Sequence, residues 1–486
     1  MKKEKNGYIT VYLAMILGIL LSLVFALLEG IRDKTMRTET ESVMEIGLYS
    51  VFGEYHRQLL EQYDLLFIDT SYGEGKPDIK RSEEHFQYYM NENFHKKGIQ
   101  NLIGFRDLTN LNCDNVEFEK YILASDNQGK LLKTQIVEYM QDKTGINAAE
   151  KLLAKFEILK RENYMSANIS ERWEQIDGTL KGLVAEKQME MTDPETGELI
   201  PVELNNPADY VKEIKAQGIL GLVLPSKQEI SSKVIDPEYY ISHRKILKGK
   251  GEINYEKTLA DQTTQKILIQ EYLLEKCGSF QRNKENSVLK YQLEYLLAGK
   301  GNDPENLEAV VEKILRIREG VNFTYLISDG EKMGEADALA WLVSSLLFSP
   351  EIKEALKMTI LYAWSYAESV KDVRILLDGN KLPLLKTYAT WNTPLSQLLV
   401  FTSCLEQYEP SSSGMTYNDY LRFLLSLKSE KEVLYRFMDL CEMDIRTTKG
   451  NKYFQMDGCV GAVEVTANIS SGYGNGYKIT RTYTYE

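Results

Sequence analysis

The sequence has little histidine, cysteine and proline, and each shortage excludes a class of protein. Four histidines and five cysteines among 486 residues leave little material for a metal cluster or a disulfide scaffold. Eleven prolines and 32 glycines exclude collagen-like and low-complexity chains. Positive charge is also scarce, because 58 Lys and Arg against 71 Asp and Glu give a formal net charge of −13. We therefore expect no nucleic-acid partner.

The motifs of common catalytic sites are missing as well. The sequence contains no P-loop, no G-x-S-x-G nucleophile elbow, no H-E-x-x-H and no C-x-x-C. The glycines of GYGNG, Gly472 to Gly476, lie in a turn and precede no helix, so they do not indicate a dinucleotide loop. We expect no cofactor, no metal ion and no small-molecule substrate, and we do not predict an enzyme.

One long hydrophobic run is present, and it lies near the N-terminus. Ile9 to Leu28 are twenty consecutive residues without a charge. A helix of that length rises roughly 30 Å, which is the thickness of the hydrocarbon core of a bilayer. The run predicts a membrane-spanning helix over residues 9–28, with these anchor residues: Ile9, Val11, Tyr12, Leu13, Ile16, Leu20, Leu23, Phe25 and Leu28.

The charges before the run predict its orientation. Lys2, Lys3 and Lys5 precede it against a single acid, Glu4, and this excess favours a cytoplasmic N-terminus and an extracytoplasmic body. A cleaved secretory signal is the competing interpretation, but the run is long and no small-x-small cleavage site follows it. A buried core helix is a third, but the run has no polar face. We predict a single-pass protein of the cell membrane, with the lipid bilayer as a partner.

The hydrophobic run continues into a second helical pattern. Apolar residues recur three or four apart beyond the run, at Met44, Leu48, Val51, Tyr55, Leu59, Tyr63 and Leu66. No proline occurs before Pro77. The pattern predicts a basic leader over 1–8, the span over 9–28, a rod helix over 29–70 and a body over 71–486.

The body is predicted to have an α+β fold. Most of it has helical periodicity, including a helical excursion near 147–250. Residues Val116 to Ala124 have strand character, and alternation over Val460 to Ile469 and Lys478 to Tyr485 predicts a C-terminal hairpin. Asp378-Gly379 predicts a further hairpin over Val373 to Leu385. We expect a small antiparallel sheet that joins the C-terminal pair to the 116 and 373 regions.

Tyrosine is abundant, with 31 residues against 15 phenylalanines. Tyrosine is enriched at protein interfaces because it combines a large ring, little conformational entropy and a polar hydroxyl. The bias favours an interaction protein, although rings packed on helices with their hydroxyls in water would account for individual tyrosines.

The first sixty residues resemble a known class of protein. A basic leader ending in Gly7, then Tyr8, a long apolar helix and a helical extension resemble the N-termini of pilin-like proteins, in particular the tight-adherence (Tad) minor pilins. The resemblance implies that a dedicated peptidase cuts between Gly7 and Tyr8, and that the helix packs with other pilin-like or envelope proteins. Pilins carry a glutamate five residues after the cut, whereas this sequence has Tyr12.

Segments along nearly the whole chain resemble an uncharacterised family of single-span bacterial proteins. They include GYITVYLAMILGILLSLVFALLEGIR, SVFGEYHRQLLEQYDLLFIDTSYG, YQLEYLLAGKGNDPENL and ILRIREGVNFTYLISD. That family carries no established activity. What the resemblance implies is an association with tight-adherence-type pilus or secretion systems.

These observations predict a non-enzymatic, membrane-anchored, extracytoplasmic component of a pilus-like or secretion apparatus. The alternative is a membrane-anchored enzyme that acts on cell-envelope polymers through two carboxylates of the body. Such a pair meets only in space, so a concave site with two acids and no neighbouring cation would favour this alternative. A sensor is a third hypothesis, but the few residues before the span offer little with which to signal.

Overall fold

The computed structural model divides the chain into two compact units. The first, here called the sheet unit, comprises Met1–Gln135, Arg244–Thr258 and Cys441–Glu486; the second, the helical unit, comprises Ile136–His243 and Leu259–Leu440. The structure describes residues 7–95, 109–144, 156, 158–161, 171–182, 190–192, 199–201, 207–216, 218–224, 230–254, 261–346, 349–405, 407–408, 411–474 and 476–485.

The described residues are mostly helical. The α-helices, in chain order, are α1 Gly7–Phe52, α2 Arg57–Tyr63, α3 Ile79–Phe94, α4 Lys130–Thr144, α5 Pro207–Ala216, α6 Ile219–Val223, α7 Gln262–Lys276, α8 Gln292–Ala298, α9 Asp303–Ser328, α10 Gly330–Leu346, α11 Lys353–Leu377, α12 Tyr417–Leu427 and α13 Glu430–Arg446. Residues 171–182 are also helical.

Two antiparallel sheets accompany the helices. The strands are β1 Ile68–Asp69, β2 Leu111–Leu123, β3 Glu190–Thr192, β4 Leu199–Pro201, β5 Cys459–Ser471 and β6 Gly476–Thr484. In the larger sheet β5 is central, with β2 along one edge and β1 and β6 along the other; β3 and β4 form a separate pair. The predicted α+β class, its small antiparallel sheet and the C-terminal hairpin are confirmed.

The core of the sheet unit lies between the sheet and two helices. Alternate residues of β5 point to one face, where they join a buried cluster with the second half of α1, with α3 and with β2; on β5 these are Val463, Val465, Ala467 and Ile469. Apolar residues spaced two apart on β5 therefore pack against apolar residues spaced three or four apart on α1. These spacings determine which face of each element is buried.

The helical unit is organised around α9 and α11, which pack against each other along their length. The Phe323 and Tyr362 rings stack with centroids 4.6 Å apart, one from each helix. Pro304 lies in the first turn of α9 and Pro350 starts the turn before α11, where the N–H that proline lacks has no helical acceptor. Both prolines therefore lie where a helix or turn begins and no backbone hydrogen bond is lost.

The predicted rod helix over 29–70 is too long. Helix α1 ends at Phe52, and a separate short helix begins at Arg57. His56 is extended, and its ring nitrogen accepts a hydrogen bond from the Leu59 N–H, so it caps the new helix. The Glu54 carboxylate is held by the hydroxyls of Tyr72 and Tyr89 at 2.9 and 2.7 Å. These tertiary contacts outweigh the continuous helical period of the sequence.

The predicted hairpin over 373–385 is wrong. Residues up to Leu377 complete α11, and Gly379, with φ of +84°, donates its N–H to the Leu376 carbonyl, which ends the helix. A glycine with positive φ serves a helix C-terminus as well as a tight hairpin, so Asp378-Gly379 does not distinguish them. Lys381 and Leu382 form only isolated bridges, to Ser411 and Met415.

Part of the predicted organisation lies outside the described residues. This applies to the first six residues of the leader and to much of the excursion near 147–250. Within that excursion the structure describes an antiparallel pair of short strands, β3 and β4.

Candidate membrane anchor and its junction with the sheet

Helix α1 carries an apolar stretch from Tyr8 to Ile31 that no described residue covers. The predicted anchor residues, from Ile9 to Leu28, are between 37% and 66% exposed, and the most apolar 18-residue window of α1 has a mean hydropathy of 2.8 with none of it buried. Burial of one large apolar side chain is worth about 1.5–3 kcal/mol, and most residues of the stretch are of this kind. This N-terminal helix is therefore long and apolar enough to cross a membrane.

The residues of the predicted cleavage site lie in the first turn of α1. Gly7 is the first helical residue, and the Tyr8 side chain is 83% exposed. Tyr12, at the position where pilins have a glutamate, lies on the same helix and is also exposed. Cleavage between Gly7 and Tyr8 stays a prediction.

The second half of α1 is part of the protein core. Its inward side chains are Met36, Val43, Met44, Leu48, Val51 and Phe52, which are all buried. At Gly47 a β-carbon would lie 3.2 Å from side-chain atoms of Phe86 and Met90, so this glycine permits the close approach of α3. One uninterrupted helix therefore has an uncovered apolar half and a half that is built into the sheet unit.

A polar junction connects α1 to the C-terminal hairpin just beyond the apolar stretch. The Asp33 carboxylate is 3.2 Å from the Arg37 guanidinium and accepts a hydrogen bond from the Tyr477 hydroxyl. The Arg32 guanidinium lies over the Tyr473 ring, 4.2 Å from its centroid. Sequence reasoning did not find this junction, because 444 residues separate Asp33 from Tyr477.

The position of the junction suits a membrane interface. Arg32 follows Leu28 by one turn, which is about 6 Å along a helix, and the headgroup layer of a bilayer is roughly 5–8 Å thick. Tyrosine and arginine are well suited to that layer, because each combines an apolar body with a polar tip. If α1 spans the membrane, Arg32 and Tyr473 lie at the level of the headgroups.

The buried acids of the sheet unit hold the fold together. The Arg244 guanidinium is 2.7 Å from both carboxylate oxygens of Glu442 and also contacts Asp457, whose other oxygen accepts the Leu247 N–H at 2.8 Å. Burial raises the pKa of Glu442, although Arg244 and Arg446 oppose this rise. The two carboxylates share a cation and fix the segment that starts at Arg244.

The helical unit contains a buried acid of a different kind. Burial raises the pKa of Glu294 to about 7. Its Oε1 accepts hydrogen bonds from the Phe280 N–H at 3.0 Å and the Tyr417 hydroxyl at 2.8 Å. Its Oε2 has no hydrogen-bond partner in the part of the chain that the structure describes. Glu294 is completely buried, so it is a core group.

A two-carboxylate enzyme would have a concave site with two acids and no neighbouring cation. Three clefts formed by described residues can be compared with this arrangement. One includes Lys266, Lys428 and Glu430, the next Lys160 and Lys266, and the third Arg37, Glu41 and Arg481. Each contains a lysine or an arginine, and none contains two acids. These clefts therefore do not have the arrangement that would favour the enzyme alternative.

Metal-binding and redox chemistry gain no support from the described residues. No group of three or more His, Cys, Asp or Glu in the described ranges is placed to hold a metal ion. All five cysteines are free thiols; Cys404 is half-buried and the others are buried. Burial raises the pKa of the Cys113 thiol to about 12, which keeps it protonated and unreactive at neutral pH.

Comparison with known proteins identifies a family. The profile of a family of unknown function, DUF5702, matches residues 197–471, which is more than half of the chain. The chain belongs to this family. No curated protein and no solved structure matches it. The match extends to the last residue of β5, and it does not include α1 or β6. The expectation of an uncharacterised family is confirmed.

Proposed function

We propose that this member of DUF5702 is a non-enzymatic, membrane-anchored component of a pilus-like or secretion apparatus, with its folded units outside the cytoplasm. The observation that carries the proposal is the two-part helix α1. Its first half is apolar and uncovered, and its second half is core of the sheet unit. An uncovered apolar helix needs lipid or other apolar helices around it, and both environments exist in a pilus-type apparatus.

Two sequence features extend the proposal beyond anchoring. The lysine excess before the span favours a cytoplasmic N-terminus. The order of basic leader, Gly7, apolar helix and helical extension is similar to that of tight-adherence minor pilins. In this proposal α1 is first held by the bilayer and packs with pilin-like helices, while the tyrosine-rich units contact envelope proteins.

Charges placed in the middle of the apolar stretch are expected to release the protein from membranes. A charged side chain at the bilayer centre costs about 2.5–3.5 kcal/mol on insertion scales, so the double variant Ile16→Asp/Leu20→Asp loses about 5–7 kcal/mol of anchoring. The measurement is the fraction that remains in the membrane pellet after alkaline carbonate extraction. Ser42→Asp is the matched control, because Ser42 is exposed on the same helix beyond the span. A pellet fraction of the double variant equal to that of the control would contradict anchoring by α1.

The N-terminal residue of the mature protein tests the pilin part of the proposal. Mass spectrometry of protein purified from native membranes is expected to show a chain that starts at Tyr8, because prepilin-type peptidases cut after the glycine. Gly7→Leu should then retain the leader and start at Met1. If the unaltered protein starts at Met1, the pilin part is wrong and a simple signal anchor remains.

A further inference from the structure

Among the described residues, strand β6 lies at an edge of the sheet and is paired on one side only. Its nine residues pair with β5, and in the described part of the chain no strand pairs with its opposite edge. Alternate backbone N–H and C=O groups of an edge strand point away from the sheet and can bind an added strand. Helix α1 packs on the hairpin through Phe52, whose ring contacts those of Tyr483 and Tyr485.

A cleft runs beside β6 at the level where α1 leaves the core. It has a volume of about 450 Å³ and is lined by residues 476–481 of the strand and by Arg37, Thr40 and Glu41 of α1. Six consecutive strand residues line it, so it is elongated in the direction of β6. An extended peptide is the ligand shape that fits such a cleft.

Thr40 provides an independent indication of a ligand in the cleft. Its side chain is buried, at 3% exposure, and its hydroxyl has no hydrogen-bond partner among the described residues. Thr35 and Thr38 of the same helix each bind the carbonyl four residues earlier, at 2.9 and 3.1 Å. A buried hydroxyl without a partner is unfavourable, and an added backbone would supply one.

The positive charges around the cleft favour an acidic ligand. Residues 476–485 contain Lys478 and Arg481 and no acid, and Arg37 adds a third cation. These cations contact Glu119, Glu41 and Asp33, at 3.3, 3.6 and 3.2 Å, in pairs that are largely exposed. Exposed ion pairs are weak, so a carboxylate from a ligand can replace them. A second copy of β6 would instead add two like charges.

We propose that the free edge of β6 receives an extended, acidic segment of a partner protein as an added strand. Backbone hydrogen bonds to β6 provide affinity, carboxylates on the α1 side of the segment face Arg481 and Arg37, and one backbone group of the segment binds the Thr40 hydroxyl. This inference goes beyond the proposed function and does not depend on it, because it needs only the folded sheet unit.

The test measures binding of a synthetic strand to the full-length protein in detergent micelles. The probe is a fluorescent peptide of alternating threonine and glutamate with nine residues, the length of β6. Fluorescence anisotropy is expected to show saturable binding that is at least about tenfold tighter than for the threonine–lysine counterpart. N-methylation of alternate peptide nitrogens, which removes the donors on one edge, should weaken binding by at least about tenfold.

Three variants test whether the acidic peptide binds in the cleft beside β6. Arg481→Glu should weaken binding of the acidic peptide at least about tenfold, whereas Lys449→Glu, the same charge change at an exposed residue outside the sheet, should not. Thr40→Val keeps the side-chain shape and removes the hydroxyl, so it should weaken binding severalfold while the midpoint of thermal unfolding stays equal or rises. Circular dichroism confirms that each variant is folded.

Three outcomes would overturn the proposal. They are no saturable binding of the acidic peptide, equal binding of the acidic, basic and N-methylated peptides, and a dimer of the full-length protein in which cysteines introduced at Thr482 cross-link to each other. The last result would show that a second copy occupies the edge. These outcomes keep their meaning even if the Ile16→Asp/Leu20→Asp variant stays in the membrane pellet, because the peptide assay does not use the membrane.

Discussion

Replacing Lys386 with methionine is expected to destabilise the helical unit by about 3–5 kcal/mol, which is the usual effect of breaking a buried ion pair by removing one partner. The Lys386 ammonium is completely buried and lies 2.5 Å from Glu368 and 2.7 Å from Asp372, both also buried. Methionine has a similar length but no charge. The variant therefore leaves the buried Glu368 carboxylate without this cation.

The neighbours of Lys386 explain why the effect should be large. Arg318 is the second buried cation of this cluster, 2.9 Å from Asp372. Burial alone would raise the pKa of Asp372, but the charges of Lys386 and Arg318 hold it below its usual value. Arg318 also donates to the carbonyls of Pro383 and Leu384, so the cluster fixes the irregular segment after α11 onto the helix pair.

Tryptophan fluorescence can follow this unit alone. All four tryptophans, at positions 173, 341, 364 and 391, lie in the helical unit. The measurement is urea unfolding of the full-length protein in detergent. Lys381→Met is the control, because Lys381 is exposed in the same segment, and it should change the free energy of unfolding by less than about 0.5 kcal/mol.

A double variant distinguishes lost charge compensation from lost packing. Adding Glu368→Gln to Lys386→Met removes the uncompensated carboxylate and should recover more than half of the lost stability. If Lys386→Met costs less than about 1 kcal/mol, or if the double variant is as unstable as the single one, the charge argument is wrong.

Glu294→Gln is expected to change how the stability of the helical unit depends on pH. The folded pKa of Glu294 is raised to about 7, above its ordinary value of 4.5. Between these two values the unfolded chain releases its proton and the folded protein keeps it. The free energy of unfolding therefore falls as pH rises from about 4.5 to 7, by an amount on the order of 3 kcal/mol, and this loss remains above pH 7.

The variant and a control isolate this contribution. Glutamine cannot ionise, so the difference in stability between the unaltered protein and Glu294→Gln should decrease across that pH range and be constant outside it. Glu305→Gln, an exposed acid at the start of α9, should keep the original profile. Parallel pH profiles for the unaltered protein and Glu294→Gln, from tryptophan-monitored urea unfolding, would show that folding does not raise the pKa of Glu294.

The sequence predicted elements that depend on local signals. The apolar run and the alternation of the C-terminal hairpin both follow from spacing along the chain. The end of α1 did not, because it depends on Glu54, whose partners Tyr72, His85 and Tyr89 belong to other elements. The hairpin prediction for residues 373–385 was wrong for a different reason. A glycine with positive φ occurs both at helix C-termini and in tight hairpins.

The interpretation of the high tyrosine content as a sign of an interaction protein accounts for only some of the tyrosines. Several tyrosines that favoured an interaction protein lie in the core, where their hydroxyls donate to buried carboxylates: Tyr63 to Asp444, Tyr295 to Asp439 and Tyr417 to Glu294, at 2.8, 2.9 and 2.8 Å. The cleft beside β6 was not predicted either. Its two sides come from Arg37–Glu41 and from residues 476–481, and no pattern within either segment indicates that they meet.

The order of segments in the sheet unit has a consequence for biosynthesis. Strand β2 finds its neighbour in β5, where Leu111 pairs with Ser471 and Leu123 with Val460, so the ribosome must add more than three hundred residues before the sheet can close. At about 5–20 residues per second this takes roughly 15–70 s. Throughout that interval α1 is already made, and its core-facing side chains have no central strand to cover them. The sheet unit of a nascent chain therefore stays incomplete until its last strands have been synthesised.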